Sequence, residues 1–522
     1  MSEKRDKFYI TTSIPYLNGA PHLGHALEYV QADAIARYQR LRGKDVFFLT
    51  GSDEHGAKIV RAAEAASKNP NDFVDGQLVM FENLLRALDI SHDGFVRTSD
   101  WQRHGIGAQK LWQKIANADD IYRGRYQGLY CVGHEAFVTE KDLVGGLCRD
   151  HQKAPERIDE ENYLFRLSRY VSVIRKAIED GDFVILPESR RNEALAMLES
   201  APDVSFSRPS RDISWGIPVP GDTTQTMYVW CDALANYLTG IGYGQDQQSA
   251  SNMRFWPADL HVIGKDVLRF HAIIWPAMLL SAGLPLPRQV FVHGWVHVAG
   301  GKMSKSIGNV VDPAKLIAEY GADALRFYLL HEIPTFADGN YTAERFAAVY
   351  NGLLVKGIGN VLSRTLKMIN TIGIITRPPE EALLRYPFRF SLRAVSAASS
   401  EAALERKAPS FFVDQNIMPE YHESMSRFDV NSAIRIVWGL FHALDQHIEE
   451  YKIYKALKEK PEEAKIMLWN IAYALAHAGW MLKPFLPETA EKMLKALDVE
   501  GIAQGEWKEF RAGEMVHLFS KK

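Results

Sequence analysis

The sequence predicts an α/β protein: a parallel sheet split by an inserted domain and followed by an all-helical domain. Three observations carry this. Val46-Phe47-Phe48-Leu49 is an unbroken apolar run of strand length, as expected for a strand covered on both faces of a parallel sheet. A segment of helical period separates it from an earlier apolar strand. Past about residue 345 the strand-like runs give way to long Leu/Ala-rich segments.

Taken in order, the first element is a short apolar strand from Lys7 to Thr12. Leu27, Val30, Ala34, Tyr38 and Leu41 then recur at spacings of three and four, which places them on one helical face. Gly43 is positioned to end that helix, because glycine takes the left-handed conformation that closes a helical C-terminus. The polar loop Thr50-Gly51-Ser52-Asp53-Glu54-His55-Gly56 follows the Val46 run, and functional loops are expected at the carboxyl ends of parallel strands. Residues 116–227 differ in texture: Arg, Gly, Tyr and Pro are frequent and two of the three cysteines fall there. This span reads as an insertion between sheet halves. Strand-like runs return at Met227-Tyr228-Val229-Trp230, Leu260-His261-Val262-Ile263 and Val290-Phe291-Val292. In the helical part, Leu468, Ile471, Leu475 and Leu482 share a face that Lys483-Pro484 stops. The Pro/Ala/Ser-rich stretch 376–412 reads as a loose connection.

Composition narrows the class of function. A chain of 522 residues is too long for one core. Sixty-one basic against 64 acidic residues leave a net charge of −3, so any nucleic-acid surface is a local patch. Three cysteines in this length argue against a disulfide framework and for a reducing, cytoplasmic compartment. The charged start, Met1-Ser2-Glu3-Lys4-Arg5-Asp6, has no apolar core of a secretory signal. No apolar run reaches the length of a membrane span.

Two motifs point to chemistry. Lys302-Met303-Ser304-Lys305-Ser306 lies between Gly300-Gly301 and Gly308-Asn309, so two ammonium groups stand on a Gly-flanked loop suited to polyphosphate oxygens. Pro21-His22-Leu23-Gly24-His25 opens the first helix. There Gly24 admits a nucleotide close to the backbone, the helix N-terminus favours anions, and the histidines donate to phosphate oxygens. The plain alternatives are two surface histidines and a solvated basic turn. Both motifs stand at strand ends in the order a nucleotide site needs, which favours function.

These two motifs resemble the signature pair of class I aminoacyl-tRNA synthetases. Further segments narrow the resemblance to the methionyl-tRNA synthetase family: Ser13-Ile14-Pro15-Tyr16-Leu17-Asn18-Gly19, the Thr50 to Gly56 loop, Tyr228-Val229-Trp230-Cys231-Asp232-Ala233, Gly264-Lys265-Asp266, Phe270-His271 and Trp275-Pro276-Ala277-Met278. The likeness is strong over about residues 7–345 and looser beyond. It implies a Rossmann-like catalytic domain in two halves, 1–115 and 228–302, around a connective insertion, 116–227. A lysine-loop and stem-contact region, 303–345, and an α-helical anticodon-binding domain, 346–522, follow.

The implied reaction is attack of the methionine carboxylate on the α-phosphate of ATP, with loss of pyrophosphate, then transfer of the acyl group to the 3′ end of methionine tRNA. The substrate brings its own nucleophile, so the protein aligns reactants and neutralises growing charge. The resemblance gives that role to His22, His25, Lys302 and Lys305, with Gly24, Arg211 and Asp266 also at the ATP. Mg²⁺ is expected on the phosphates, held largely through water. The methionine positions it implies are Ile14, Tyr16, Trp230, Ala233, Leu234, Tyr237, Val267, His271 and Trp275. Aromatic edges suit a thioether, and plain core packing is the competing reading for each ring. Leu234 stands where the family often has Pro. Asp53 is the natural counter-charge for the substrate ammonium.

Cys131-Val132-Gly133-His134 and Cys148-Arg149-Asp150-His151 are two ligand pairs of equal spacing. Zinc-binding relatives carry a knuckle here, so Cys131, His134, Cys148 and His151 are candidate ligands of one structural Zn²⁺; a metal-free knuckle held by packing is the alternative. Asn360 and Arg364 match anticodon-contacting positions, and Tyr454 stands where the family usually has Trp in a Pro-Trp pair. Single-stranded loops are read by such stacking and base-edge groups. The partners implied are ATP, L-methionine and methionine tRNA, and a monomer is expected because no appended dimerisation module is evident. An alternative keeps the fold as a paralogue that forms the adenylate or binds tRNA without normal charging. An isoleucine, valine or leucine synthetase is disfavoured, because 116–227 is too short for their editing insertion.

Overall fold

The computed structural model describes residues 5–522 apart from 133–135, 139, 141–142, 150–151, 200, 247–248, 299, 303–309, 388–407 and 515, with backbone alone at 136, 137, 249 and 302. The chain forms two compact units. One comprises Met1–Ala32, Arg42–Arg86 and Ile90–His293; the other comprises Asp33–Leu41, Ala87–Asp89 and Gly294–Lys522.

The first unit is built on a six-stranded sheet. Its strands are β1 (Lys7–Thr12), β2 (Asp45–Ser52), β3 (Gly94–Arg97), β4 (Val184–Leu186), β5 (Leu260–Gly264) and β6 (Gln289–His293), and they lie in the order β3-β2-β1-β5-β6-β4. Every neighbouring pair is parallel. Phe8, Tyr9, Ile10, Val46, Phe47, Phe48 and Leu49 are all buried, so both faces are covered, as the unbroken apolar runs require. The strand order reverses direction between β1 and β5. In open parallel sheets that switch point is where loops from the carboxyl ends part and leave a crevice.

Helix α1 (Leu23–Leu41) follows β1. Leu27, Val30, Ala34 and Tyr38 are buried, and Gly43 with φ 82° ends it in the left-handed region. Two readings of local structure change. Tyr228 is extended, but Val229–Leu234 is a helix with all six residues buried, not the continuation of a strand. A short fully apolar run has no period that separates a strand from a buried helix. Within the span 116–227, β4 pairs in register with Gln289, Val290 and Phe291 of the central sheet. At three residues, that strand is too short to carry a period of its own. The rest of the span forms an antiparallel four-stranded sheet of Val204–Ser205, Glu156–Phe165, Ile121–Cys131 and Ala136–Val138.

The second unit is mainly helical. Asp323, Arg326 and their neighbours lie on the buried helix Ala322–His331. Arg326 has no exposure and meets Asp33 at 2.7 Å and the carbonyls of Leu88, Pro484 and Phe485 at 2.9, 3.0 and 2.7 Å. A buried guanidinium needs that full set of acceptors. Asp429 caps Val430–Glu450 by accepting from the Ser432 N–H at 3.2 Å. Pro461–Leu482 begins on its proline and stops before Lys483-Pro484, as read from the sequence. Gly301–Lys302 pairs antiparallel with Val296–Val298, placing Lys302 opposite His297.

Candidate active site

The turn after β1 carries the histidine pair at the start of α1. The Gly24 N–H donates to His22 Nδ1 at 3.1 Å, and the His22 N–H donates to His25 Nδ1 at 3.2 Å. Backbone amides only donate, so both Nδ1 atoms accept and the ring protons sit on both Nε2 atoms. The rings stack at 3.9 Å between centroids, and His25 meets the edge of Phe81 at 5.1 Å. One turn along, Glu28 accepts from Ser13 Oγ at 2.6 Å and faces His293 Nε2 at 2.9 Å. The start of α1 is thereby fastened to the carboxyl ends of β1 and β6. Chemically, the turn presents two neutral N–H donors beside Gly24, a set matched to phosphate oxygens.

The loop after β2 runs alongside the same turn. Tyr16 and Asp53 form a parallel bridge, with Leu17 N–H to Asp53 O at 3.1 Å and Asp53 N–H to Pro15 O at 2.9 Å. Asp53 is buried at 1% exposure. Next to it, Glu54 accepts from Arg97 Nε at 2.8 Å and Ser52 Oγ at 2.6 Å, which pins the loop to β3. The Tyr16 ring meets Trp230 edge-on at 6.0 Å, and Trp230 stacks on Phe270 at 3.4 Å. Ile14 lies against β2, close enough that a Cβ on Gly51 would come within 3.0 Å of it.

A second group lies deeper. His271 Nδ1 is 2.9 Å from the Val267 carbonyl, so it donates there. His271 Nε2 must then accept, and the Tyr237 hydroxyl donates to it at 2.6 Å. Burial pulls the His271 pKa from 6.5 to about 4, only partly offset by the Val267 carbonyl and by Asp266. The Trp275 indole donates to His261 Nε2 at 3.3 Å, so His261 Nδ1 donates to Thr11 Oγ1 at 2.7 Å. Tyr237 packs on both His261 and Trp275, at 4.3 and 5.8 Å. Tyr237 and Trp275 are fully enclosed, and Ala233 and Leu234 are buried; Val267 is half-buried.

The sequence-derived candidates therefore fall into three sets. His22, Gly24 and His25 share one turn. Tyr16, Asp53 and Trp230 meet, with Ile14 nearby. Tyr237, Val267, His271 and Trp275 form one hydrogen-bonded and aromatic group. Asp266 is exposed, and Arg211 is exposed and paired with Asp212 at 3.4 Å. Lys305, His134 and His151 lie outside the described residues, as does the Lys302 side chain. Cys131 and Cys148 are buried, and among the described residues no group of three or more His, Cys, Asp and Glu is placed to hold a metal. In the helical unit, Arg364 meets Asp445 at 3.0 Å and Glu449 at 2.5 Å, Asn360 opens the helix that carries it, and Tyr454 is 50% exposed.

Sequence reading missed one cluster. Asp232, without exposure, meets His55 Nδ1 at 2.6 Å and His104 Nε2 at 2.7 Å. Burial pushes its carboxyl up, but the two imidazoles outweigh that and bring it down to about 2. Asp232 and His55 sat inside recognisable segments; His104 carried no signal at all.

A parallel sheet whose switch point bears a His-Leu-Gly-His turn defines the nucleotide-binding core of a class I synthetase, and the family model for tRNA synthetases class I (M) matches residues 8–154 and 141–366. The chain is 40% identical over 497 residues to the methionine–tRNA ligase of Caldanaerobacter subterraneus, covering 94% of this chain and 74% of that one. It is 38% identical over 502 residues to the Brucella suis methionine–tRNA ligase, covering 95% and 92%. It superposes on the crystal structure of Mycobacterium tuberculosis methionyl-tRNA synthetase bound by methionyl-adenylate with a TM-score of 0.86 and 33% identity, covering 99% of this chain and 100% of that one. The chain belongs to the methionyl-tRNA synthetase family.

Proposed function

We propose that the protein is a methionine–tRNA ligase that forms methionyl-adenylate from methionine and ATP and passes the methionyl group to the 3′ end of methionine tRNA. The supporting observation is the histidine turn. Two neutral Nε2–H donors, held by backbone amides at the switch point, suit the phosphate oxygens on which negative charge grows as pyrophosphate leaves. Lys302 and Lys305 supply the positive charge, Gly24, Arg211 and Asp266 complete the ATP site, and Mg²⁺ arriving with ATP would neutralise phosphate charge, held largely through water. Asp53 pairs with the methionine ammonium. Ile14, Tyr16, Trp230, Ala233, Leu234, Tyr237, Val267, His271 and Trp275 surround its side chain.

In this reading 1–115 and 228–302 form the catalytic domain, 116–227 the connective insertion, 303–345 the stem-contact region and 346–522 the anticodon domain with Asn360, Arg364 and Tyr454. Cys131, His134, Cys148 and His151 hold a structural Zn²⁺, a donor set suited to tetrahedral zinc. The protein acts as a cytoplasmic monomer. Methionine-dependent ATP–pyrophosphate exchange, charging of methionine tRNA and metal analysis of the purified chain test these points; no exchange sinks the activity, and no zinc sinks the knuckle. One observation favours a second reading for the last step. Ile453 is buried and Tyr454 exposed where relatives usually carry Pro-Trp, so a paralogue with exchange but no charging is the outcome that reading expects.

A further inference from the structure

Asp232, His55 and His104 are not among the sequence-derived candidates, yet this buried cluster joins the segments that carry the methionine candidates. Helix Val229–Leu234 holds Trp230, Ala233 and Leu234, and Asn236–Thr239 holds Tyr237. His104 hydrogen-bonds to both: its Nε2 to Asp232 Oδ1 at 2.7 Å and its Nδ1 to Thr239 Oγ1 at 2.8 Å. The other Asp232 oxygen binds His55, two residues beyond Asp53, at 2.6 Å. That loop is held on its far side by Trp215, whose indole donates to the Glu54 carbonyl at 2.6 Å and whose ring meets His55 at 5.5 Å.

His104 itself is fully buried on a wide helical turn, Trp101–Gly105, a π-type turn of the sort that re-aims single side chains. The seat is tight: a Cβ on Gly107 would come within 2.5 Å of Thr239 Cγ2. A carboxylate without solvent stays in place only while its hydrogen bonds are complete. Removing the His104 donor leaves one Asp232 oxygen unmatched inside the protein. Its other partner, the Asp53 loop, and both pocket helices then lose their common anchor.

We infer that His104 is a positioning residue for methionine, holding the Trp230 and Tyr237 helices and the Asp53 loop in one arrangement through Asp232 and Thr239. The inference rests on the methionine site proposed above. His104 Nε2 donates to Asp232 Oδ1, and its Nδ1 is hydrogen-bonded to the Thr239 hydroxyl. Glutamine offers a donor and an acceptor on one amide; phenylalanine fills the space and offers neither.

The test compares the full chain with His104→Phe, His104→Gln and Thr239→Val in ATP–pyrophosphate exchange, with methionine and ATP varied separately. His104→Phe is expected to raise the methionine KM by about tenfold while the ATP KM stays within about twofold. His104→Gln returns most of the loss, and Thr239→Val gives a smaller rise of about threefold. A role in folding alone would lower the melting temperature and leave the KM values of the folded fraction in place. The inference is overturned if the methionine KM does not move in His104→Phe, if both substrates weaken together, or if the glutamine variant is as impaired as phenylalanine. Should His104→Phe not fold, an unchanged methionine KM in Thr239→Val overturns it. Absence of methionine-dependent exchange in the unsubstituted chain is a different result, which overturns the site reading instead.

Discussion

Tyr237 donates its hydroxyl to His271 Nε2 across 2.6 Å, and the direction is fixed because His271 Nδ1 already donates to the Val267 carbonyl. The tyrosine is thus the donor in a fully buried pair. Tyr237→Phe would leave an imidazole nitrogen without a partner, at a cost of about 1–3 kcal/mol in unfolding free energy. Urea denaturation of the variant measures this, and an unchanged midpoint would show that the ring re-pairs elsewhere.

The histidine turn predicts a kinetic split. In the phosphate site proposed above, His25→Ala removes one N–H donor while leaving the methionine candidates untouched. The rate constant for adenylate formation should fall by about a hundredfold with the methionine affinity within about threefold. His25→Asn, which can place an amide N–H in the same region, should recover part of the rate. Single-turnover adenylate formation reads both.

Acid should destabilise the protein through His271. Its pKa is about 4 in the folded chain against 6.5 unfolded, because burial disfavours the charged ring. The unfolded state therefore binds the proton more readily. The contribution is complete above pH 6.5 and is lost as the pH falls from 6.5 toward 4, with a ceiling of about 3 kcal/mol. His261 is shifted in the same direction by burial, so His271→Gln should flatten the slope in part, not abolish it. Urea midpoints at pH 7 and pH 5 decide the matter.

Arg364, proposed above to contact the anticodon, is held by Asp445 and Glu449 on the facing helix. Arg364→Ala should raise the KM for methionine tRNA by about tenfold and leave pyrophosphate exchange unaltered. Asp445→Asn should give a smaller rise of the same kind. Equal loss in both assays would place Arg364 in general stability instead.

The legible parts of the fold were those with a period or a stop signal. Helix α1 could be read to its end at Gly43, and Pro461–Leu482 to the proline that follows it, because each pairs an apolar face with a terminator. Val229–Leu234 could not, since a run that is apolar on every side has no face to count. β4 was invisible for a related reason: three residues in a polar, Arg-rich neighbourhood carry no signal until they meet β6. At the candidate site, residues inside dense motifs could be proposed from the sequence and His104 could not. His104 is an isolated histidine in sequence; only the chain's return past Asp232 and Thr239 gives it partners.

The clasp on His22 and His25 has a further meaning. Main-chain amides occupy one nitrogen of each ring, so the pair offers directional contacts without adding a fixed positive charge. Two cations in the same spot would grip an anion after the bond had broken as firmly as before it. In the phosphate site proposed above, uncharged rings let go more readily, and a catalyst that discards an inorganic fragment on every cycle gains from a hand that opens.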